Sequence, residues 1–342
     1  MQIRPRLTEE EFEIVKQYRG IHLAADSVNV DIKDIRNLWL KNDKASVHIK
    51  NPHFQTQEYS EFLLLKSQII EEVKNYAPTY KAFEFKKSKD SHLLVVDPAD
   101  VHVGKLCSSF ETGETYNSQI AVKRVKEGVN GLLQKTNSFK IDEVLLIIGN
   151  DILHTDTPKR TTTSGTPQDT DRMWYDNFNT AKRLYIDLIE QLMQVGKLTV
   201  CYNPSNHDFT HGFFLAQLIE AHFRKSNVTF DVNLRHRKAF KYYNNLIGST
   251  HGDGAKEANL PLLLAQEFAV NWAATKHRYI YTHHLHHKTS KDYIGCTVET
   301  LRSPSSTDSW HHRNGYQHAP KAIEGFLHHK EHGQIARITH LF

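Results

Sequence analysis

Seven side chains able to bind divalent cations follow one another as Asp100, His102, Asp151, Asn206, His251, His284 and His286. Almost all lie where a short apolar run ends: LLVVDPADVH, VLLIIGND, LTVCYNPSNHD and YIYTHHLHH. Short apolar runs of this kind read as buried strands, so the donors should gather at strand ends, the usual place for a site in an α/β sheet. Carboxylates, an amide oxygen and imidazoles without a thiolate suit hard or borderline cations. Two aspartates, one asparagine and four histidines suffice for two cations a short distance apart, with one carboxylate shared between them. Such a pair of metals activates water for attack on phosphorus.

The order and spacing of these segments resemble the calcineurin-like metallophosphoesterase superfamily, over about residues 92 to 342. That signature runs D-x-H, G-D-x-x-[DH], G-N-H-[DE], an isolated His, and G-H-x-H. Here the pieces are Asp100-Val101-His102, Gly149-Asn150-Asp151-Ile152-Leu153-His154, Ser205-Asn206-His207-Asp208, His251, and His283-His284-Leu285-His286. One such piece arises easily by chance, and a lone His at a strand end is more often a hydrogen-bonded core residue. Five pieces in the right order reverse that reading. Three positions depart from the pattern: Asn150 sits inside the second motif, and Ser205 and His283 each replace a glycine. None of the three removes a ligand, and Asn accepts a positive φ better than most residues.

The resemblance implies an α+β, four-layer sandwich of two mixed sheets flanked by helices. It implies that Asp100, His102 and His286 hold one metal, that Asn206, His251 and His284 hold the other, and that Asp151 bridges both. A metal-bridging water, largely hydroxide near neutral pH, would be the nucleophile. His207 would be the general acid for the leaving group, work suited to a pKa near neutrality. Manganese is the first choice of metal, with iron, zinc and magnesium as alternatives. His154, taken as the partner of His207, stands where phosphatases of the superfamily commonly have Asp. It and the following TDTPKR resemble the SbcD-type DNA-repair nucleases, which points to DNA as substrate.

The expected function is therefore a dinuclear metal-dependent phosphodiesterase acting as a DNA nuclease. The alternatives are a phosphatase or phosphodiesterase for a small molecule or phosphoprotein, or a DNA-binding regulator that keeps an esterase fold. No ligand position is lost, which disfavours the regulator. SPSSTDSWHHRNGY resembles a stretch of phage-type members of the superfamily. There Trp310 or Tyr316 could stack on a base, although burial of both is the simpler expectation. Lys105, Lys159, Arg160 and Lys288 are candidate phosphate contacts.

The chain has 342 residues, enough for one large domain and a small one. A net charge of +4 is mildly basic, which is compatible with nucleic acid without identifying it. No apolar run is long enough to span a membrane, and the N-terminus lacks a signal core. Cys107, Cys201 and Cys296 are too few and scattered for a disulfide framework, and suit a reducing cytoplasm of a bacterium or a phage-infected cell. Of the 23 histidines, those outside the motifs, such as His311, His312, His328, His329 and His332, are expected to be solvent-facing or structural. With neither a P-loop nor a heptad run, an ATPase partner of the SbcD kind would be a separate protein. A homodimer stays open.

Three segments are expected: a helix-turn-helix-like module over 1–55, an amphipathic helix and basic linker over 56–90, and the catalytic domain over 91–342. In the first, Thr8 and Glu11 form a capping-box pattern and Gly20 stops a helix. Ala25 and Asn29 then fit the small residue and turn of the motif, with Ile35 and Leu38 packing the second helix back. Lys33, Arg36 and Lys41 could meet phosphates, though Asp31 and Asp34 would oppose them and favour a protein contact. ASVHIK alternates like a strand and could be a wing. Tyr59, Phe62, Leu63, Ile69, Ile70 and Val73 share one face of a helix ended by Pro78. Later helices are expected near 116–137, 171–194, from Phe213, and near 257–273. A polar loop from Thr155 to Thr170 is long enough to suggest function or mobility.

Overall fold

A computed structural model describes residues 35–41, 46–50, 77–85, 88–316 and 319–342. The chain divides into two compact units, Met1–Tyr76 and Ala77–Phe342. In the first unit, β1 (Asn37–Lys41) pairs antiparallel with β2 (Ser46–Lys50), with Leu38 opposite Ile49 and Leu40 opposite Val47. Leu38 is thus in a strand and not in the second helix of a helix-turn-helix. The reason is legible in hindsight: Leu38, Leu40, Val47 and Ile49 alternate with polar or aromatic residues, a period of two that suits a ladder better than a helix. The ASVHIK segment does form a strand. Ala25, Asn29, Lys33 and the helix expected over 56–77 lie outside the described residues, apart from Ala77 itself.

The second unit begins its regular structure with β3 (Ser91–Asp97), α1 (Ser109–Thr112), α2 (Ser118–Thr136) and β4 (Lys140–Gly149). It continues through α3 (Trp174–Leu192), β5 (Lys197–Asn203), α4 (Phe209–His222), β6 (Thr229–Asp231), β7 (Lys238–Tyr242) and β8 (Asn245–Ser249). A 3₁₀ turn over Glu257–Asn259 leads to α5 (Leu260–Glu267), α6 (Ala269–Ala273) and β9 (His277–Thr282). The chain closes with β10 (Thr289–Tyr293), β11 (Cys296–Thr300), α7 (Ser309–Arg313), β12 (Ala322–His329) and β13 (Gly333–Leu341). The helices near 116–137, 171–194 and 257–273 are present, the last one broken at Phe268. The helix expected from Phe213 starts earlier, at Phe209.

Two mixed sheets result, ordered β13-β12-β3-β4-β5-β6 and β10-β11-β9-β8-β7. In the first, β3, β4, β5 and β6 run parallel; in the second, β8, β9 and β11 do. Successive residues of β3 and β4 point to opposite faces, and both faces are dry. Leu94, Val96, Val144, Leu146 and Ile148 pack with Val125, Leu132, Leu184, Leu188 and Leu215 of the helices outside. Leu93, Val95, Leu145 and Ile147 meet Tyr242, Ile247 and Tyr281 of the second sheet. Leu260 and Leu264 of α5 cover the far face of that sheet against Leu246, Ile280 and Val298. This helix–sheet–sheet–helix sandwich is the architecture that the resemblance implies. No helix among the described residues is long and apolar enough to cross a membrane.

Candidate metal centre

The loops that leave the carboxyl ends of β3, β4, β5, β8 and β9 carry all seven candidate ligands. These loops are built from unusual backbone. Asp100, His102, Asn150, Asp151, His284 and His286 all have φ between 48° and 69°. For a residue with a Cβ that left-handed conformation costs about 1–2 kcal/mol, so six together must be held from outside. Bonds between the loops do this: Asp100 N–H donates to Asn150 O at 2.8 Å, His102 N–H to Asp151 O at 2.9 Å, and His283 N–H to His251 O at 2.9 Å. Gly149, with φ of 91°, is required as glycine, because a Cβ there would lie 1.9 Å from Asn203 O. Strain concentrated this way is characteristic of functional sites.

The side chains fall into two adjacent groups. Asp100, His102 and His286 bring their ligand atoms within 4.8 Å of one another, as do Asp151, His251 and His284. His102 Nε2 is 3.3 Å from His286 Nε2, and His286 Nε2 is 3.4 Å from Asp100 Oδ1. Asp151 Oδ2 lies 3.3 Å from His251 Nε2 and 3.9 Å from His102 Nε2, so it stands between the groups. Asn206 Oδ1 is 2.9 Å from His251 Nε2. Ligands about 2.1 Å from a common ion stand roughly 3–3.4 Å apart, which matches the His102–His286, His286–Asp100 and Asp151–His251 separations.

Charge leads to the same conclusion. Asp100, His102, Asp151 and His251 are buried, whereas Asn206, His207, His284 and His286 are partly open to solvent. Burial opposes ionisation of Asp100 and Asp151, yet the surrounding histidines hold both carboxyls below their usual range. Burial and neighbouring imidazoles push His102 and His154 well below 6.5, leaving them neutral and able to ligate. Burial also works against protonation of His251, but Asp151 holds it up at about 9. Two buried carboxylates among mostly neutral imidazoles form an anionic well that divalent cations would neutralise. The donor set therefore fits two such ions.

Around this centre the structure adds contacts that sequence reasoning missed. His207 Nδ1 lies 3.0 Å from the main-chain oxygen of His154, and its own N–H donates to Asp151 Oδ1 at 3.0 Å. The His154 ring does not hydrogen-bond to His207. Its Nδ1 is instead 3.3 Å from Nδ1 of His102. Ser205 Oγ accepts from Asp151 N–H at 2.8 Å and donates to Asp208 Oδ1 at 2.6 Å. Asp208 also accepts from Leu153 N–H at 2.9 Å and is fully buried, which, with Asp151 nearby, pushes its carboxyl up to about 7. His283 bridges Asp97 Oδ2, at 2.9 Å from Nε2, and Thr250 O, at 3.0 Å from Nδ1. Ser205 and His283, the two residues that replace glycines, are thus both buried hydrogen-bonding groups beneath the ligand loops.

Other sequence candidates are placed variously. Lys105 is buried, with Nζ 2.8 Å from Asp308 Oδ2, so it cannot reach a substrate phosphate in this arrangement. Lys159, Arg160 and Lys288 are exposed. Trp310 and Tyr316 are 60% and 66% exposed, contrary to the expected burial. The 155–170 loop is tied down: Asp156 accepts from Thr210 and His211 N–H at the start of α4, and from Thr163 Oγ1. All three cysteines are free and buried.

No protein-family model matches the chain, and no curated protein matches it. Solved structures similar to it include Vps29 with zinc from Entamoeba histolytica, at 12% identity and TM-score 0.32, covering 73% of this chain and 98% of that one. A novel archaeal phosphodiesterase is similar at 6% identity and TM-score 0.33, over 73% of this chain and 99% of that one. Vacuolar protein sorting 29 from Cryptosporidium parvum is similar at 11% identity and TM-score 0.33, over 74% and 98%. Likeness this slight adds no weight to any function; the residues of the site must supply it.

Proposed function

We propose that this protein is a metallophosphoesterase of the calcineurin-like kind, a dinuclear phosphodiesterase whose substrate is DNA. The observation that carries the chemistry is the pair of three-residue clusters, Asp100–His102–His286 and Asp151–His251–His284, set side by side with Asp151 between them. Asn206 completes the second group. Two divalent cations held there would supply Lewis-acid activation of water and of the phosphoryl oxygens; manganese remains the first choice.

The chain's own groups do the rest. His207 has Nδ1 engaged by the His154 carbonyl, so Nδ1 carries the hydrogen and Nε2 is the atom that gains and loses a proton. Its main-chain N–H is anchored on Asp151, which keeps the ring beside the ligands, 4.7 Å from the His102 ring between centroids. From there Nε2 can give its proton to a departing alkoxide. His154 positions rather than reacts. With Nε2 of His102 turned to the ligand cluster, Nδ1–H of His102 donates to Nδ1 of His154, the kind of outer contact that fixes the tautomer of a ligating histidine.

Support for DNA comes from His154 at the end of the second motif, from the exposed Lys159 and Arg160 in the following loop, and from exposed aromatic rings near His286. The test supplies metal-free protein with Mn, Mg, Zn or Ca and offers single-stranded DNA, duplex DNA and bis-p-nitrophenyl phosphate side by side. Cleavage of DNA that depends on added metal supports the reading. Turnover confined to the small ester would remove DNA, and no turnover of any substrate would remove the enzyme.

A further inference from the structure

Helix α7 is a short, tightly specified element. Asp308 caps it, accepting from His311 N–H at 2.8 Å and His311 Nδ1 at 2.7 Å. At its other end Tyr316 N–H donates to His311 O and Gly315 N–H to His312 O, with Gly315 at φ 76°. This is the Schellman pattern, which commonly pairs an apolar residue after the helix with one in the last turn. Tyr316 and Trp310 make that pair, with ring centroids 5.7 Å apart. The pattern explains why the two rings meet. It does not explain why both are mostly exposed, when an aromatic pair gains most by being covered.

Two contacts fix this pair to the metal centre. The His311 ring stacks on His286, 5.2 Å between centroids and 15° from parallel, and Trp310 packs edge-on against His311 at 5.1 Å. Beneath, the Asp308 carboxylate meets the buried Lys105, whose own N–H donates to His102 O at 3.0 Å. A run of rings therefore leads from a candidate ligand to an open indole and phenol, on a helix tethered to the loop of Asp100 and His102. Residues 309–316 carry His311, His312 and Arg313 and no carboxylate. Open aromatic faces with the cationic Arg313 nearby in the chain suit a flat, anionic ligand, the combination that single-stranded nucleic acid offers.

We infer that Trp310 and Tyr316 form a stacking subsite for the nucleobase next to the scissile phosphate. The inference deepens the phosphodiesterase reading and rests on it for the location of that phosphate. A base stacked there holds the phosphodiester against the ligand loops, so the subsite should favour substrates with an unpaired base at the cleaved position.

Two esters with the same leaving group test it: thymidine 5′-(p-nitrophenyl phosphate) and methyl p-nitrophenyl phosphate, each with wild type, Trp310→Ala, Trp310→Phe and Tyr316→Ala. The wild type should prefer the thymidine ester in kcat/KM. Trp310→Ala should lose about 5-fold or more on that ester, mainly through KM, and leave the methyl ester unchanged; Trp310→Phe should restore most of the preference. Equal losses on both esters, or none on either, overturn the subsite while leaving the phosphodiesterase reading intact. A second measurement is independent of turnover: thymidine 5′-monophosphate should quench tryptophan fluorescence, inorganic phosphate should not, and Trp310→Phe should abolish the quenching. Quenching that persists in Trp310→Phe overturns the subsite. Inactivity toward both esters with every metal tested would instead count against the phosphodiesterase reading, with the quenching still deciding the subsite.

Discussion

The main-chain oxygen of His154 lies 3.0 Å from Nδ1 of His207, while the ring of the same His154 turns to Nδ1 of His102. One residue thereby touches both the proposed proton donor and a proposed ligand, by different atoms. The two contacts can be separated by substitution, because only the second depends on the side chain.

His207→Ala should retain metal yet lose about 10²–10⁴-fold in rate on esters with poor leaving groups. p-Nitrophenolate departs without a proton, so the loss should shrink there. Rates for a dinucleotide and for bis-p-nitrophenyl phosphate, measured on the same preparation, check this. Equal losses on both would make His207 a structural residue or a ligand.

His154→Ala should behave differently, since the carbonyl that holds His207 survives the change. Metal affinity should fall about 10–100-fold, the usual effect of removing an outer partner of a ligating histidine, while turnover at saturating metal stays within a few fold. Isothermal titration with Mn provides the affinity. A large loss of turnover at saturating metal would return the ring of His154 to the proton-transfer step.

The strand ends that carry the seven candidate ligands and the layered fold are legible because polar donors closing apolar runs are a one-dimensional pattern. What supports them is not. Ser205 and His283 read as departures from a motif, and nothing in the chain tells that Ser205 reaches Asp208 three residues on, or that His283 finds Asp97 across 186 residues. Lys105 read as a phosphate contact because sequence gives charge but not burial. For Trp310 and Tyr316 the converse holds: their apolar area argues for burial, and only tertiary structure decides. A template of four positions places Leu38 in a helix, against a local alternation that favours the strand it forms.

His283→Ala should be strongly destabilising for a reason independent of metal. It would leave the Asp97 carboxyl, already pushed up by burial and restrained by His283, without its partner. Leaving a buried polar group without its hydrogen-bond partner costs about 1–3 kcal/mol. Urea unfolding should show this, and the double variant with Asp97→Asn should recover part of the loss. Additive losses would mean the two side chains are not coupled.

Acid should weaken the sandwich through His328, which lies between the sheets with Nε2 2.8 Å from the Tyr281 hydroxyl. Burial, and then His277, hold this imidazole down to about 3 from 6.5. The unfolded chain thus binds a proton there that the folded chain refuses between those values. The contribution is intact above pH 6.5 and is lost as pH falls toward 3, by about 1.4 kcal/mol per pH unit. His328→Phe should flatten stability against pH in that window relative to wild type. An unchanged slope would show that His328 is protonated in the folded protein.

The central claim is that Asp151 stands between two metals. Protein stripped of metal, reloaded with Mn, Zn or Fe and freed of excess should carry about two equivalents by elemental analysis, as expected when seven side-chain donors exceed the needs of one ion. Asp151→Asn should weaken both equivalents together, since its carboxylate lies 3.3 Å from His251 and 3.9 Å from His102. A wild-type value that stays near zero with every metal would contradict the account at its root.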